Sequence, residues 1–307
     1  MDATPARLDA AARLGFRSLE WVAFENSPAA PPHADWKPFA DQFAGSARER
    51  GLRLSAIGAL YRNPLDPAQT DHARAVFTRA FEVAAHLGVR TVAGFAGGVI
   101  EPQIHPRGGQ PVYTLDETQL PRLLAFWEPL ARRAADHGVR LAFEHCPQGS
   151  FRLPVQGYNL LAKPGLWERF FDASRCENLG LEWDPSHLIC QFIDPVENLR
   201  RFGARVFHVH AKDAFVNRQL LELYGPCHPG VAEHRMPGFG QANWAEIVHQ
   251  LLRAGYNSDL NIEGWHDPVL RDHPQEPGGP LAGRQLEDAG LAAARRHLAQ
   301  FVPDEMN

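Results

Sequence analysis

Long apolar runs are missing from this sequence. None of its 307 residues belongs to an uncharged stretch near the twenty or so residues that span a bilayer. The opening MDATPARLDAAARLG has no apolar core of a secretory leader. Cysteine is scarce: Cys146, Cys176, Cys190 and Cys227 are the four, and no two lie close in sequence. That excludes a disulfide framework and a thiolate zinc site, and it fits a reduced, cytoplasmic compartment. Surplus positive charge is lacking too. The 31 Lys and Arg face 36 Asp and Glu, for a net charge of −5, so neither nucleic acid nor an anionic membrane is expected as a partner. There is also no G-x-G-x-x-G turn opening a helix, which removes most support for a dinucleotide-binding fold.

What is present is a recurring joint. ARLGFRSLEW, RERGLRLSAI, AHLGVRTVAG, ADHGVRLAFE, RRFGARVFHV and, more loosely, LRAGYNSDLNIE each run an Ala/Arg/Leu-rich helix into a glycine and then an apolar strand. Glycine without a Cβ enters the left-handed region cheaply and stops a helix. The pattern places strands near Arg17–Ala23, Leu52–Ile57, Arg90–Gly94, Val139–Glu144, Asn178–Asp184, Arg205–His210 and Asp259–Glu263. It places helices near Thr4–Leu14, Trp36–Glu49, Asp71–Leu87, Glu117–His137, Pro164–Ala173, Pro195–Phe202, Trp244–Ala254 and Leu286–Phe301. Short helix-to-strand joints and long strand-to-helix loops put every elaborate loop on one face of a parallel sheet. The fold class expected is an α/β (β/α)8 TIM-type barrel, one domain over residues 1–307, with the first strand lacking or replaced because the chain opens on a helix.

The last four strands end on chemistry. VRLAFE ends on Glu144, LGLEWD on Asp184, RVFHVH on His210 and DLNIE on Glu263. One acidic strand end is commonly a cap or a surface group, and one buried histidine is commonly a satisfied core residue. Four such ends on consecutive strands of a barrel converge at one mouth. Three carboxylates there repel one another unless a cation joins them. Three oxygens and one imidazole suit Mn²⁺ best, then Mg²⁺ or Co²⁺, with Zn²⁺ compatible. In RVFHVHAKD, His208 and His210 share a face because side chains alternate along a strand. His210 at the end is the expected ligand, and His208, one layer deeper, is the expected core or supporting residue.

The segments FEHCP, GLEWDPSHL, FHVHAKD, RMPGFGQANW and NIEGW resemble the xylose-isomerase-like barrel superfamily, the sugar phosphate isomerase/epimerase group. The resemblance covers nearly the whole chain from ARLGFRSLEW onward. It is similar to the ketose 3-epimerases, in which a Glu, Asp, His, Glu set binds one divalent metal. The resemblance implies Glu144, Asp184, His210 and Glu263 as ligands, with Glu144 and Glu263 also the catalytic acid/base pair. It implies substrate binding by His187 in DPSH and by Arg235 in HRMPGFG.

His145 stands where related sequences commonly carry asparagine. It is a candidate substrate-binding group or base, unless strand alternation turns it away. Asp213 is a candidate to orient His210, or else Lys212 and Asp213 form a surface turn. Asn243 and Glu246 read as a capping pair. Trp21, Trp183 and Trp265 flank strand ends and wall either a sugar pocket or the barrel core, and Glu20 is an inward-facing candidate.

The function expected is a divalent-metal-dependent isomerase or epimerase acting on a keto sugar or related polyol through a metal-stabilised enediolate. The alternative is a lyase or dehydratase acting on a keto-inositol or a 3-keto sugar or glycoside. An endonuclease IV-like phosphodiesterase ranks below both, because the chain is acidic and shows one site. The partner expected is a small sugar or polyol, with no nucleic acid and no membrane, and a homo-oligomer is compatible.

Overall fold

A computed structural model of the chain describes residues 4–59, 63–98, 101–103, 112–114, 117–147, 149–150, 156–157, 159–264, 266–274 and 280–302. The expectation for Trp265 lies outside them. The chain forms two compact units. The first comprises Met1–Asp9, Arg17–Trp183 and Arg205–His208; the second comprises Ala10–Phe16, Asp184–Ala204 and Val209–Asn307.

After α1 (Pro5–Arg13), the first unit alternates strand and helix: β1 (Ser18–Trp21), α2 (Lys37–Glu49), β2 (Arg53–Ala59), α3 (Thr70–Leu87), β3 (Thr91–Phe95), α4 (Leu120–Asp136), β4 (Arg140–Glu144), α5 (Pro164–Ala173) and β5 (Leu179–Trp183). β1–β2, β2–β3, β3–β4 and β4–β5 pair in parallel, with Glu144 opposite Glu182. The buried residues of α4 are Leu120, Leu123, Phe126, Trp127, Leu130, Ala131 and Ala134, spaced three and four apart as a one-faced helix requires. Its Trp127 ring meets Phe77 edge-on at 4.7 Å and Phe143 at 4.7 Å, while its Nε1 donates to the Ala96 carbonyl at 2.9 Å. Such aromatic contacts add about 1 kcal/mol each beyond burial. They bind α3 and α4 to the outer face of the sheet.

In the second unit, α6 (Pro185–Cys190) and α7 (Pro195–Phe202) precede β6 (Val206–Ala211), whose last three residues belong to this unit. An antiparallel hairpin follows, β7 (Asp213–Val216) with β8 (Ala232–Arg235), with α8 (Arg218–Tyr224) between its strands. Then come α9 (Trp244–Arg253), β9 (Leu260–Ile262), parallel to β6, and α10 (Glu287–Ala299). The parallel sheet holds seven strands in the order β1 to β6 and then β9, a TIM-type α/β arrangement one strand short of eight. The short helices α6 and α8 and the hairpin go beyond the sequence reading, because each is shorter than the windows in which periodicity shows.

The glycine joints behave as expected at five of six places. Gly15, Gly51, Gly88, Gly138 and Gly255 all have φ between 68° and 82°. Gly203 is the exception, with φ −54°. It opens a 3-10 turn instead, and a Cβ there would stand 2.6 Å from that of Ala254, so the glycine serves close packing rather than left-handed geometry.

Two aspartates clasp the loops of the second unit. Asp213 accepts from the backbone of Ala214 (2.8 Å), Ala242 (2.9 Å) and Gly238 (3.1 Å) and from Trp244 Nε1 (3.2 Å). Burial pushes its carboxyl up, opposed by those four donors. Asp267, wholly buried, accepts from Val269 and Leu270 (both 2.8 Å), Met236 (2.8 Å) and Arg235 Nε (3.1 Å). Burial alone would raise its pKa, but the backbone donors and Arg235 win, and it lies below the ordinary value.

Two outcomes follow for stability. At Gly180 in β5 a Cβ would collide with the Arg205 carbonyl and the Phe207 ring. Gly180→Val should therefore lower the unfolding free energy by about 2 kcal/mol, read as an earlier urea midpoint. Asp267→Asn should cost about 2 kcal/mol at neutral pH. A depressed folded pKa contributes stability above the unfolded value, near 3.8, that is lost as pH falls through the folded pKa. Urea titrations at a series of pH values should show the gap between wild type and variant closing below that pH; a gap constant down to pH 2 would refute the ionic role of Asp267.

Candidate metal centre

Asp184 follows β5 immediately and starts α6. Its Oδ1 accepts from the Ser186 backbone N–H at 2.7 Å, which leaves Oδ2 directed elsewhere. His210 is the penultimate residue of β6, and Glu263 is the first residue past β9. These three come from distant parts of the sequence, yet one ligand atom of each lies within 4.8 Å of the others. His210 Nδ1 stands 3.3 Å from Glu263 Oε2. His187, one turn into α6, places Nε2 3.3 Å from Asp184 Oδ2. Three of the four expected ligands and the expected substrate histidine are thus neighbours.

The centre of this group is a side chain that the sequence reading set aside. Lys212 is 1% exposed, and its Nζ lies 3.1 Å from Glu263 Oε2 and 3.7 Å from Asp184 Oδ2. Burial of Glu263 favours its neutral form, but the Lys212 ammonium and His210 overcome that and hold its carboxyl well below the usual range. The signal was available: His208, His210 and Lys212 are two apart and share one face of the strand. Asp213, by contrast, does not orient His210. It takes the opposite direction and binds the backbone donors already named. Neither is Lys212–Asp213 a surface turn, since both residues are buried.

Two further imidazoles extend the group. The His187 and His234 rings lie 5.1 Å apart, His234 and His266 5.3 Å, and His266 Nε2 is 4.0 Å from Glu263 Oε1. His234 Nδ1 meets Ser186 Oγ at 3.0 Å. Burial, with the charges of Lys212, His187 and His266, drives the His234 pKa down to about 2, so this ring is neutral. Arg235 is fixed by Asp267 rather than extended into solvent. His234 sits in a short hairpin and His266 in a loop, where no periodicity marks them.

Glu144 closes β4 in the first unit and is buried, and Asn159 pins the turn after it by donating to the Glu144 and Cys146 carbonyls at 2.7 and 2.8 Å. His145 takes the opposite side of the strand. Its ring is wholly buried and packs 4.9 Å from Trp167 of α5. Of the two expectations for His145, a substrate-binding group or a side chain turned away by strand alternation, this packing accords with the second. Consecutive residues face opposite ways, and this one faces the helix layer. His208 lies deeper, as expected, with Nδ1 2.7 Å from Glu182 Oε1 and Nε2 3.2 Å from Ser55 Oγ. Asn243 caps α9 through the Glu246 N–H at 3.2 Å. The reciprocal half of the capping box is missing, because Glu246 accepts from Gln250 and Arg200 instead.

Donor chemistry fits a divalent ion at Asp184, His210 and Glu263: two carboxylates, one imidazole and no thiolate, gathered where the protein already places a positive charge. No helix among the described residues is long and apolar enough to cross a membrane.

Comparison with known proteins bears on the fold and the family. Protein YfiH of Bacillus subtilis (strain 168) is 27% identical over 287 residues, 83% of this chain and 86% of that protein. An inosose dehydratase of Geobacillus kaustophilus (strain HTA426) is 30% identical over 100 residues, 31% of this chain and 32% of the enzyme. Among solved structures, D-psicose 3-epimerase with D-tagatose from Clostridium cellulolyticum H10 superposes with a TM-score of 0.63 at 18% identity, covering 97% of this chain and 93% of the epimerase. Residues 8–291 match the family described as xylose isomerase-like TIM barrel, and the chain belongs to that family.

Proposed function

We propose that the protein is a divalent-metal-dependent isomerase or epimerase acting on a keto sugar or related polyol by moving a proton on the carbon beside the carbonyl. The observation that carries this reading is the convergence of Asp184, His210 and Glu263 in a buried, charge-compensated cluster. Asp184, His210 and Glu263 would hold the ion, Mn²⁺ in the first instance. Glu144 is assigned as the fourth ligand on the family resemblance. When bound, the ion supplies Lewis acidity that lowers the pKa of the C–H next to the carbonyl.

The chain's own residues do the rest. Glu263 takes or returns the proton on one side of the substrate carbon, and Glu144, by the same resemblance, serves the other. His187, held beside Asp184, and the neutral His234 offer ring nitrogens to hydroxyl groups. Arg235 is anchored by Asp267, so its guanidinium is pre-oriented and loses little freedom when it meets substrate.

A dehydratase is the second reading, and the sequence relatives favour it, since inosose dehydratases are among them. Proton removal is common to both. In the dehydratase a hydroxyl group on the next carbon leaves with the electron pair, whereas in the epimerase the proton returns on the opposite face.

The deciding experiment incubates the Mn²⁺-loaded protein in D₂O with a panel of ketohexoses and keto-inositols. Deuterium uptake beside the carbonyl with a new epimer supports the epimerase. An absorbing enone with loss of water supports the dehydratase. No exchange into any of them refutes both. Glu263→Gln should slow exchange by at least about a hundredfold. Asp184→Asn should weaken Mn²⁺ binding by at least about tenfold, measured by calorimetry, with the fold retained.

A further inference from the structure

Lys212 has no part in the reading above, yet it is among the largest fully buried side chains of the protein. Lysine is almost never buried unless paired, because its compact charge is strongly hydrated. Its pairing is specific: Nζ stands 3.1 Å from Glu263 Oε2, the same oxygen that faces His210 Nδ1 at 3.3 Å, and 3.7 Å from Asp184 Oδ2, the same oxygen that faces His187 Nε2. The ammonium therefore uses one oxygen of each acidic group that a metal would take.

A divalent ion sits roughly 2.0 to 2.2 Å from a carboxylate oxygen. An ammonium held at 3.1 Å from that same oxygen would remain within about 5 Å of the ion, where like charges in a buried site repel strongly. A divalent ion and the ammonium would therefore compete for Glu263 Oε2. Resting on the metal reading, we infer that Lys212 is the resident cation of the site: a divalent ion binds by displacing its ammonium from Glu263 and Asp184, and Lys212 thereby sets how tightly the metal is held. The lysine keeps the two carboxylates together when no metal is bound, and it makes the metal exchangeable rather than permanent.

The test compares Mn²⁺ binding to chelator-treated wild type, Lys212→Met and Lys212→Gln by isothermal calorimetry, with thermal melting in chelator and in Mn²⁺. Removal of the ammonium should tighten Mn²⁺ binding at least tenfold, lower the melting temperature in chelator and enlarge the upward shift caused by Mn²⁺. Equal or weaker Mn²⁺ binding by folded variants overturns the inference. If both variants fail to fold without metal, Mn²⁺ at concentrations too low to load the wild type should restore their folding, and failure to do so also overturns it. Wild type that binds no Mn²⁺ overturns the metal reading itself, whereas wild type that binds it beside unchanged variants overturns only the role of Lys212.

Discussion

Asp184 and Glu263 are carboxylates brought side by side with little water to screen them, and that placement is affordable only with positive charge between them. Lys212 supplies it with one ammonium shared by two acids. Removing a buried charge from water is costly, and mutual attraction repays that cost only when geometry and hydrogen bonding are good. The surrounding structure is arranged accordingly. Asp184 is oriented by the first turn of α6 through Ser186, and His210 near the end of β6 is followed by Lys212 just past that strand. Glu263 arrives from the end of a strand paired to β6 in register, His210 opposite Asn261. Changing Lys212 would take the ammonium from both carboxylates at once.

The loops that carry the remaining polar groups are held by the same means, carboxylates saturated with donors. Asp213 gathers four N–H groups from three separate segments, and Asp267 gathers three from backbone and one from Arg235. Gly240 lies so close to Asp213 that a Cβ would overlap its carboxylate, so the tight loop and the aspartate require each other. His234, next to Arg235, is held through this clasp. Loops thus acquire the rigidity of a core, as a site that must hold several polar groups in fixed positions requires.

The sequence made the framework legible because the framework is periodic. Pro164–Ala173 and Pro195–Phe202 fall where the pattern puts them, and each of the seven strands overlaps its expected span. The candidate ligands stood out because apolar strands ending on acid or imidazole are unusual, and three of those strand-end residues lie together in the second unit. What escaped has physical reasons. Lys212 was read only as half of a possible surface turn with Asp213, although its spacing from His208 and His210 pointed inward. His234 and His266 lie in a short hairpin and a loop, whose packing depends on contacts far away in sequence. At Gly203 the residue type suggested a left-handed stop, and close packing on Ala254 was the actual reason for glycine.

The depressed pKa of Glu263 bears on which chemistry the site can perform. A carboxylate stabilised by an adjacent ammonium is a weak base, and a weak base abstracts a proton from carbon only when that carbon is strongly acidified or the ammonium withdraws. If the site takes a divalent ion as proposed, cation exchange at Asp184 and Glu263 would precede proton transfer. On that reading Lys212 would leave Glu263 as the ion binds, and the ion would then hold the carboxyl down in its place, so proton transfer would depend on how strongly the ion acidifies the C–H beside the carbonyl. An epimerase would gain from a substrate acidified only in the loaded site, because an unloaded site would leave it untouched. A dehydratase gains in the same way and has a further use for a nearby cationic donor, since the departing hydroxyl must be protonated. The arrangement therefore serves either course after enolisation, and the choice falls to the groups that contact the neighbouring carbon. In the second unit the candidates are the imidazoles of His187, His234 and His266, and two of them also stand beside the carboxylates, His187 Nε2 3.3 Å from Asp184 Oδ2 and His266 Nε2 4.0 Å from Glu263 Oε1, so replacing either would alter the charge balance as well.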